Sequence, residues 1–273
     1  MMTMTLPVLF AIFIWWFSTG LILLLDGLPR TTFRWSLVIS SALAVVAFVA
    51  LVQTSGKTDV ASAYCAFTCA LLVWGWHELS FLTGWITGPR KEGSPAGASE
   101  DQRFLHAVQA ILWHELWIIG VGLAMVAATW NAPNQIGTWT FLVLWVMRTS
   151  SKLNLFLGVR NFSEEFLPPH LMYLKSYFRR RPMNLLFPFS VTAATVVAWL
   201  MVMAAMEAPP ALSAGLILVT TMLALRILEH WLLVLPIPAT ALWRWAMRHA
   251  DGSDAKGSAA PATPAKETLL HAR

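Results

Sequence analysis

Long apolar stretches recur along this chain and are separated by short polar connections. Seven of these stretches are about 20 residues long, which is the length a helix needs to cross a bilayer. We place them at residues 6–25, 35–52, 60–86, 104–130, 136–158, 184–206 and 211–235. The pattern predicts an all-α fold, a polytopic membrane helix bundle of about seven transmembrane helices.

The connection at residues 159–183 carries an amphipathic pattern of its own. Pro168 and Pro169 are typical of a helix start. After them, one helix face is apolar and the other positions are basic, with Leu171, Leu174 and Phe178 in the apolar set. This pattern predicts an interfacial helix near residues 168–181 that lies on anionic lipid. An ordinary loop with a basic cluster is the alternative.

A second short segment, "ALWRWAMRH", precedes the C-terminal tail and suits a short helix on the membrane surface. We expect the basic side chains of both segments to contact that surface; they are Lys175, Arg179, Arg180, Arg181, Arg244 and Arg248. Residues 1–249 then form a single transmembrane helical domain. Residues 250–273 are rich in Ala, Ser, Pro, Gly and Lys and predict a disordered cytoplasmic tail.

Composition and charge support the membrane interpretation. Charged residues make up 12% of the chain, whereas soluble domains have roughly 25%. Of the 19 Lys and Arg residues, 15 lie in the connections after the first, third and fifth stretches and in the C-terminal part, and only Lys57 lies on the opposite side. This bias predicts a periplasmic N-terminus and a cytoplasmic C-terminus. It also accounts for the net charge of +5 without a nucleic-acid partner.

The predicted spans contain an unusual polar set. The tetrapeptide "WHEL" occurs twice, at residues 76–79 and 113–116, and "EHWL" occurs at residues 229–232. At ~1.5 Å per residue, the whole set falls in the cytoplasmic half of the membrane. Its members are His77, Glu78, His114, Glu115, Arg148, Lys152, Asn154, Arg226, Glu229 and His230.

Three acids and three bases belong to this set, and each charge costs ~2.5–3.5 kcal/mol at a helix centre. Three interpretations therefore stay open. The set is a network of interhelical ion pairs, a ligand site, or a path for protons or a quinone. In the ligand site a metal ion or the magnesium of a tetrapyrrole would be coordinated by an imidazole, with His77, His114 and His230 as candidates. The spans contain no Glu-x-x-His pair, which disfavours a di-iron centre.

Two stretches carry a resemblance to a known family. They are "WHELSFLTGWITGPR", residues 76–90, and "GVRNFSEEFLPPHLMYLKSYFRRRPMNLLFP", residues 158–188. Here the chain resembles the PuhE family of purple phototrophic bacteria, described as photosynthetic complex assembly protein 2, from about residue 1 to 249. The resemblance implies a role in building or maintaining the reaction-centre and light-harvesting apparatus, through bacteriochlorophyll supply. It carries over no catalytic residue.

Together these observations predict a non-enzymatic assembly factor in the bacterial inner (intracytoplasmic) membrane. Its expected partners are the lipid bilayer and the photosynthetic complex subunits or other assembly factors. Bacteriochlorophyll and a metal ion are the candidate cofactors. The alternative function is a membrane-embedded, metal-dependent oxidoreductase acting on a pigment or quinone, and a small-solute transporter is a third class.

Overall fold

The structure is a computed structural model that describes residues 2–162, 166–236 and 242–247. Seven long helices follow one another within these residues, together with one short helix. Their bounds are α1 (Met2–Asp26), α2 (Phe33–Ser55), α3 (Val60–Leu82), α4 (Glu100–Ala128), α5 (Ile136–Leu157), α6 (Leu186–Glu207), α7 (Pro210–Leu232) and α8 (Arg244–Met247). The described residues also include the 3-10 helices η1 (Arg30–Thr32) and η2 (Pro169–Tyr177). The predicted all-α membrane bundle is confirmed.

Six of the described helices are long and apolar enough to cross a membrane, namely α1, α2, α3, α4, α6 and α7. The sequence predicted a seventh span at residues 136–158, but the corresponding helix, α5, does not meet this criterion of length and apolar character. That helix has 22 residues, but Arg148, Lys152 and Asn154 lower its apolar character. Because α5 packs against α3, α4, α6 and α7, its polar side chains can face protein instead of lipid.

Local sequence signals set several helix boundaries. The Asp59 carboxylate accepts a hydrogen bond from the Ser62 N–H at 2.9 Å and caps α3. A capping box between Ser99 and Gln102 begins α4. Gly158 ends α5 at φ +125°, a backbone conformation that favours glycine. The predicted third span, 60–86, is helical only as far as Leu82.

The helix α3 lies at the centre of the bundle. In its apolar window 67% of the residues are buried, compared with 44% in α7 and 28% or less in the other four spans. The helix packs against α1, α2, α5 and α7. The first "WHEL" motif therefore sits on the helix with the most protein around it.

The polar connections gather at two opposite ends of the bundle. At one end, which we call the basic end, Arg103 donates to the Phe156 carbonyl at 3.2 Å and the Asn161 N–H donates to the Leu233 carbonyl at 2.9 Å. At the other end, the Asn134 N–H donates to the Ser55 carbonyl at 2.9 Å. The connections after α1, α3 and α5 share the basic end, as the charge bias requires. Which end faces the cytoplasm stays a prediction.

The segment predicted as an interfacial helix has a different form. It is the 3-10 helix η2, and it ends at Tyr177 instead of continuing to residue 181. Leu171, Leu174 and Tyr177 are buried in a cluster with Phe81 and other apolar residues of α3 and α4. Their spacing of three residues matches the 3-10 repeat, so one face is buried. The sequence pattern predicted that the apolar face would contact lipid, whereas in the structure it packs on protein.

The basic side chains predicted to contact the membrane surface differ in their surroundings. Lys175 is exposed, whereas Arg179 forms an ion pair with Glu100. Arg180 lies over the Phe162 ring, 5.1 Å from its centroid, and Arg181 packs close to Gly158. Their contact with lipid stays a prediction.

The short helix α8 lies where the sequence predicted one, and the segment that leads into it packs on α1. The Trp243 indole donates to the Trp16 carbonyl at 3.1 Å, and the Trp16 indole donates to the Leu242 carbonyl at 3.0 Å. A Cβ atom at Gly20 would lie 2.1 Å from the Trp245 ring, so a larger residue there would require that ring to move. The Arg244 side chain, Arg248 and the tail at 250–273 lie outside the described parts of the molecule.

Candidate functional site

The glutamates of the two "WHEL" motifs form ion pairs with two basic side chains of α5. Arg148 donates through Nη2 to Glu78 Oε2 at 3.0 Å, and Lys152 forms an ion pair with Glu115. Arg148 and Lys152 are four residues apart and share one face of α5. Each motif therefore contributes its carboxylate to the same helix, one turn apart, from α3 and from α4.

A third ion pair lies within α7. Arg226 donates through Nη1 to Glu229 Oε2 at 2.7 Å, at a spacing of three residues. The indole N–H of Trp15 on α1 donates to the other carboxylate oxygen, Oε1, at 2.9 Å. The three acids and three bases of the polar set thus pair one to one, which relieves the cost of placing each charge in a membrane.

These pairs surround a cavity of about 340 Å³. Glu78, Arg148, Lys152, Arg226 and Glu229 all line it, and most of its remaining wall is aromatic or aliphatic. Its wall is drawn from α1, α3, α4, α5 and α7 and from the segments of the basic end. An apolar chamber with a few fixed polar groups is the usual form of a small-molecule site. We take this cavity as the candidate functional site.

The basic end contributes part of the cavity wall. Trp243, which precedes α8, lines the cavity and packs edge-on against Trp15 with ring centroids 5.3 Å apart. Tyr177 and Phe178, at the end of η2, line it as well. Both segments that the sequence assigned to the membrane surface therefore also close one side of this cavity.

The three imidazoles of the polar set lie outside the cavity wall, and each is only 1% exposed. His230 is fully partnered, because its Nδ1 lies 2.9 Å from the Arg226 carbonyl and its Nε2 lies 2.9 Å from Ser150 Oγ. A ring with both nitrogens occupied cannot coordinate a further ligand. His230 thus ties α7 to α5 in this structure.

His77 and His114 each have a buried ring nitrogen for which the described residues supply no hydrogen bond of good geometry. His77 Nδ1 lies 2.8 Å from the Val73 carbonyl, whereas its Nε2 has no hydrogen bond among the described residues, although the Trp117 carbonyl is close to the ring. His114 Nδ1 likewise has none there, and its ring packs on Phe81 with centroids 4.6 Å apart. One imidazole can serve as an axial ligand of a tetrapyrrole, so that role stays a prediction for these two.

The polar set does not assemble into a multi-ligand metal centre in the described parts of the chain. No group of three or more His, Cys, Asp and Glu side chains is placed there to hold an ion. A tetrahedral zinc site or a di-metal site takes at least three such ligands. The sequence had brought the three imidazoles to related depths, but their side chains take separate positions.

Asn154 belongs to a structural joint at the basic end. Its side chain is fully buried, and its Oδ1 accepts a hydrogen bond from Asn184 Nδ2 at 3.0 Å. The Asn184 side-chain oxygen Oδ1 in turn accepts hydrogen bonds from the Leu186 and Phe187 N–H groups at the start of α6. Sequence reasoning missed Asn184, although an asparagine just before an apolar helix is a recognisable capping signal.

The connection after α3 folds back against the second "WHEL" motif. Thr87 and Gly88 are buried although they are not helical. The Thr87 carbonyl accepts a hydrogen bond from the backbone N–H of His114, in the middle of α4, at 2.9 Å. A Cβ atom at Gly88 would lie 2.0 Å from the Gln109 carbonyl oxygen, so only glycine permits this approach. Non-helical backbone is tolerated at this depth because protein covers it.

The aromatic part of the cavity wall was also missed. Trp15, Trp74 and Trp243 line the cavity, but along the sequence they resemble the other tryptophans of a chain that has 15 of them. What distinguishes them is that Trp15, Trp74 and Trp243 belong to one buried cluster in the folded bundle.

Comparison with known proteins gives two matches. The profile of a family described as protein of unknown function (DUF3623) matches residues 1–254. A protein of Rhodobacter capsulatus, described as an uncharacterized 30.4 kDa protein in the puhA 5′ region, is 40% identical over 248 residues. The match covers 89% of this chain and 90% of that protein. No solved structure matches.

Proposed function

The chain belongs to the DUF3623 family, and from that premise we propose that it is an integral-membrane assembly factor for the bacterial photosynthetic apparatus. The apparatus in question is the reaction centre with its light-harvesting complex. In this proposal the protein works in the inner (intracytoplasmic) membrane with a periplasmic N-terminus. Its partners are complex subunits or other assembly factors.

One observation carries the proposal. The relative from Rhodobacter capsulatus is described by its position in the puhA 5′ region, and the similarity extends over nine-tenths of both chains. The family profile matches residues 1–254, a range that includes every described helix from α1 to α7, so the likeness is not confined to one motif. The resemblance of residues 76–90 and 158–188 to the PuhE family supports the same function. Neither observation names a substrate.

The buried ion pairs also support a function beyond passive anchoring. Six charged groups inside an apolar bundle are costly. Replacing such pairs by apolar residues is often neutral or stabilising in other proteins. Five of the six groups line one cavity, so a requirement for polar groups at that place explains why they are there. A site that receives a ligand or a partner side chain during assembly fits this requirement.

The alternative of a metal-dependent oxidoreductase gains no support from the side-chain positions that the structure describes, since no three candidate ligands meet there. Handling of bacteriochlorophyll stays a prediction that rests on His77 and His114. Purification from phototrophic cells, followed by an absorption spectrum and metal analysis, separates these cases. Bound pigment supports handling of bacteriochlorophyll, and a stoichiometric transition metal supports the enzyme.

Deletion of the gene in its phototrophic host tests the proposal. We expect the near-infrared absorption of isolated membranes, which measures reaction-centre and light-harvesting complexes, to fall well below that of the parent strain. The gene supplied on a plasmid should restore it. Unchanged absorption and unchanged phototrophic growth in the deletion strain would show that the protein has no part in assembly.

A further inference from the structure

The cavity contains polar atoms that the protein itself leaves without partners. Trp74 Nε1, Glu78 Oε1, Arg148 Nε and Arg226 Nε are buried and make no hydrogen bond among the described residues. All four residues line this one cavity, and Trp74 is only 3% exposed. Buried polar groups are usually paired. Eight other buried polar atoms of the described residues also lack a partner, but they lie on residues that do not line the cavity, whereas these four surround one space in which a ligand can supply the partners.

The chemistry of the unpartnered atoms indicates which polar groups the ligand would carry. Three of them are N–H donors and one is a carboxylate oxygen. A carbonyl oxygen would accept from the donors, and a hydroxyl in the same position would donate to Glu78 Oε1. A molecule that exists both as a ring ketone and as a ring alcohol satisfies both kinds of group.

The charges of the cavity indicate that the ligand is neutral. Each acid of the polar set is already paired with a base: Glu78 with Arg148, Glu115 with Lys152, and Glu229 with Arg226. A ligand with a formal charge would add an uncompensated charge to a membrane interior, which is costly. A phosphate or a free carboxylate is therefore a poor fit.

The wall indicates a flat ring with an apolar body. Nine of the 29 lining residues are aromatic. That share is more than twice the 12% of aromatic residues in the whole chain. Aromatic side chains pack favourably on planar rings. The cavity of about 340 Å³ is at the small end of the range for ligand sites, ~300–1,000 Å³. None of the described residues that line the cavity is a histidine, so that part of the wall offers a tetrapyrrole magnesium no imidazole.

We propose that the cavity binds a neutral, lipid-soluble ring ketone of the quinone class, with Trp74 and Arg148 donating to its oxygens. In the reduced form of the ligand, a ring hydroxyl donates to Glu78. Binding is the whole of the proposal. It does not depend on the assembly function, because it is measured on the purified protein, whereas assembly is measured in the deletion strain.

Gly75 offers a way to fill the cavity without disturbing the ion pairs. It lies on α3 and lines the cavity. The nearest atom to a Cβ placed there is Ile22 Cδ1, at an ordinary 3.7 Å. Gly75→Leu would therefore fill the cavity with its side chain. Gly120→Leu is the matched control, since Gly120 is exposed on α4 and a Cβ there meets nothing within 4 Å.

The experiment uses the full chain in lipid nanodiscs, titrated with decylubiquinone and followed by tryptophan fluorescence. We expect saturable quenching, unchanged in Gly120→Leu and weakened roughly 5- to 150-fold in Gly75→Leu, the range expected from overfilling a packed site. Trp74→Phe keeps an aromatic ring at this position but removes the N–H group, and should weaken binding roughly 2- to 10-fold. Trp199→Phe, on the exposed face of α6, is its control.

Mass spectrometry of protein purified from phototrophic cells gives a second readout, and quinone should co-purify with the wild type and with Gly120→Leu. The proposal is overturned if a tetrapyrrole or a phospholipid occupies the protein instead. It is equally overturned if decylubiquinone fails to bind, or if Gly75→Leu and Trp74→Phe both bind it as tightly as their controls do. If Gly75→Leu does not fold, as judged by size-exclusion chromatography, Trp74→Phe alone decides.

Discussion

Removal of the Glu78 carboxylate should destabilise the bundle through the partner it leaves behind. In the structure, Glu78 Oε2 accepts from Arg148 Nη2 at 3.0 Å. The Glu78 side chain is only 14% exposed and that of Arg148 is 32% exposed. After Glu78→Ala the guanidinium would remain inside the bundle without its counter-charge. Breaking one side of a buried pair costs more than the net contribution of the pair.

The expected loss lies between two limits. Removing one partner of a fully buried pair typically costs ~3–5 kcal/mol, whereas an exposed pair contributes ~0–1 kcal/mol. Arg148 borders the cavity and retains about a third of its exposure, so screening reduces the upper value. We therefore expect Glu78→Ala to lower the free energy of unfolding by ~2–3 kcal/mol.

A double-mutant cycle in mixed micelles measures this loss. Unfolding by increasing SDS fraction is followed for the wild type, Glu78→Ala, Arg148→Met and the double variant. The double variant contains no unpaired charge from this pair. It should regain ~1–2 kcal/mol relative to the sum of the single losses, within the usual range of coupling between residues in contact.

The control is Glu207→Ala, which removes an exposed carboxylate at the end of α6. It should change stability by less than ~0.5 kcal/mol, as surface substitutions usually do. If Glu78→Ala behaves like Glu207→Ala, the ion pair does not stabilise the bundle and the reasoning is refuted. Strict additivity in the cycle would refute the pairing of Glu78 with Arg148.

Four further predictions concern other sites. His230→Phe should lower stability by ~1–3 kcal/mol in the same assay, because the partly buried Ser150 hydroxyl loses its hydrogen bond to the imidazole; an unchanged midpoint would contradict this. Asn184→Ala should cost ~1–3 kcal/mol through lost capping of α6, and a neutral effect would contradict it. Burial lowers the pKa of His170 below its ordinary 6.5, so stability should fall as pH drops below that value and fall less in His170→Gln; identical profiles would contradict it. A reporter fused at Gly97 should be active in the cytoplasm, and periplasmic activity would reverse the orientation.

Much of the fold follows from apolar run length alone. Helices of 22 to 29 residues arise where the sequence has stretches long enough to cross a bilayer, because unpaired backbone groups are not tolerated in lipid. The end of α3 was misplaced because residues 83–86 remain apolar after the helix stops. Thr87 and Gly88 then pack against α4, and that contact is a property of the folded bundle.

The polar set was recognisable in the sequence because charges inside apolar stretches are expensive. Equal numbers of acids and bases at similar depth already indicated pairing. The sequence did not predict which acid pairs with which base, since Glu78 could have formed an ion pair with Arg148 on α5 or with Arg226 on α7. Helix rotation decides this, and rotation is set by packing of side chains such as Trp74 and Phe141, whose ring centroids are 5.6 Å apart.

The cavity itself had no sequence signature. Its wall comes from α1, α3, α4, α5 and α7 and from Trp243, which lies more than 200 residues along the chain from Trp15 on the same wall. Aromatic residues are ordinary in membrane helices, so their convergence appears only in three dimensions. The 3-10 form of η2 was likewise hidden, because the same apolar residues suit an α-helix on lipid until Leu171, Leu174 and Tyr177 find a protein surface.

Our central claim is that the charged cavity is where this protein acts in assembly. Complementation of the deletion strain by two glycine variants tests this claim most directly, with near-infrared absorption of the membranes as the measurement. We expect Gly120→Leu to restore the complexes and Gly75→Leu to leave them depleted, although immunoblots show equal amounts of both proteins. Full restoration by Gly75→Leu, with its cavity filled, would contradict the claim.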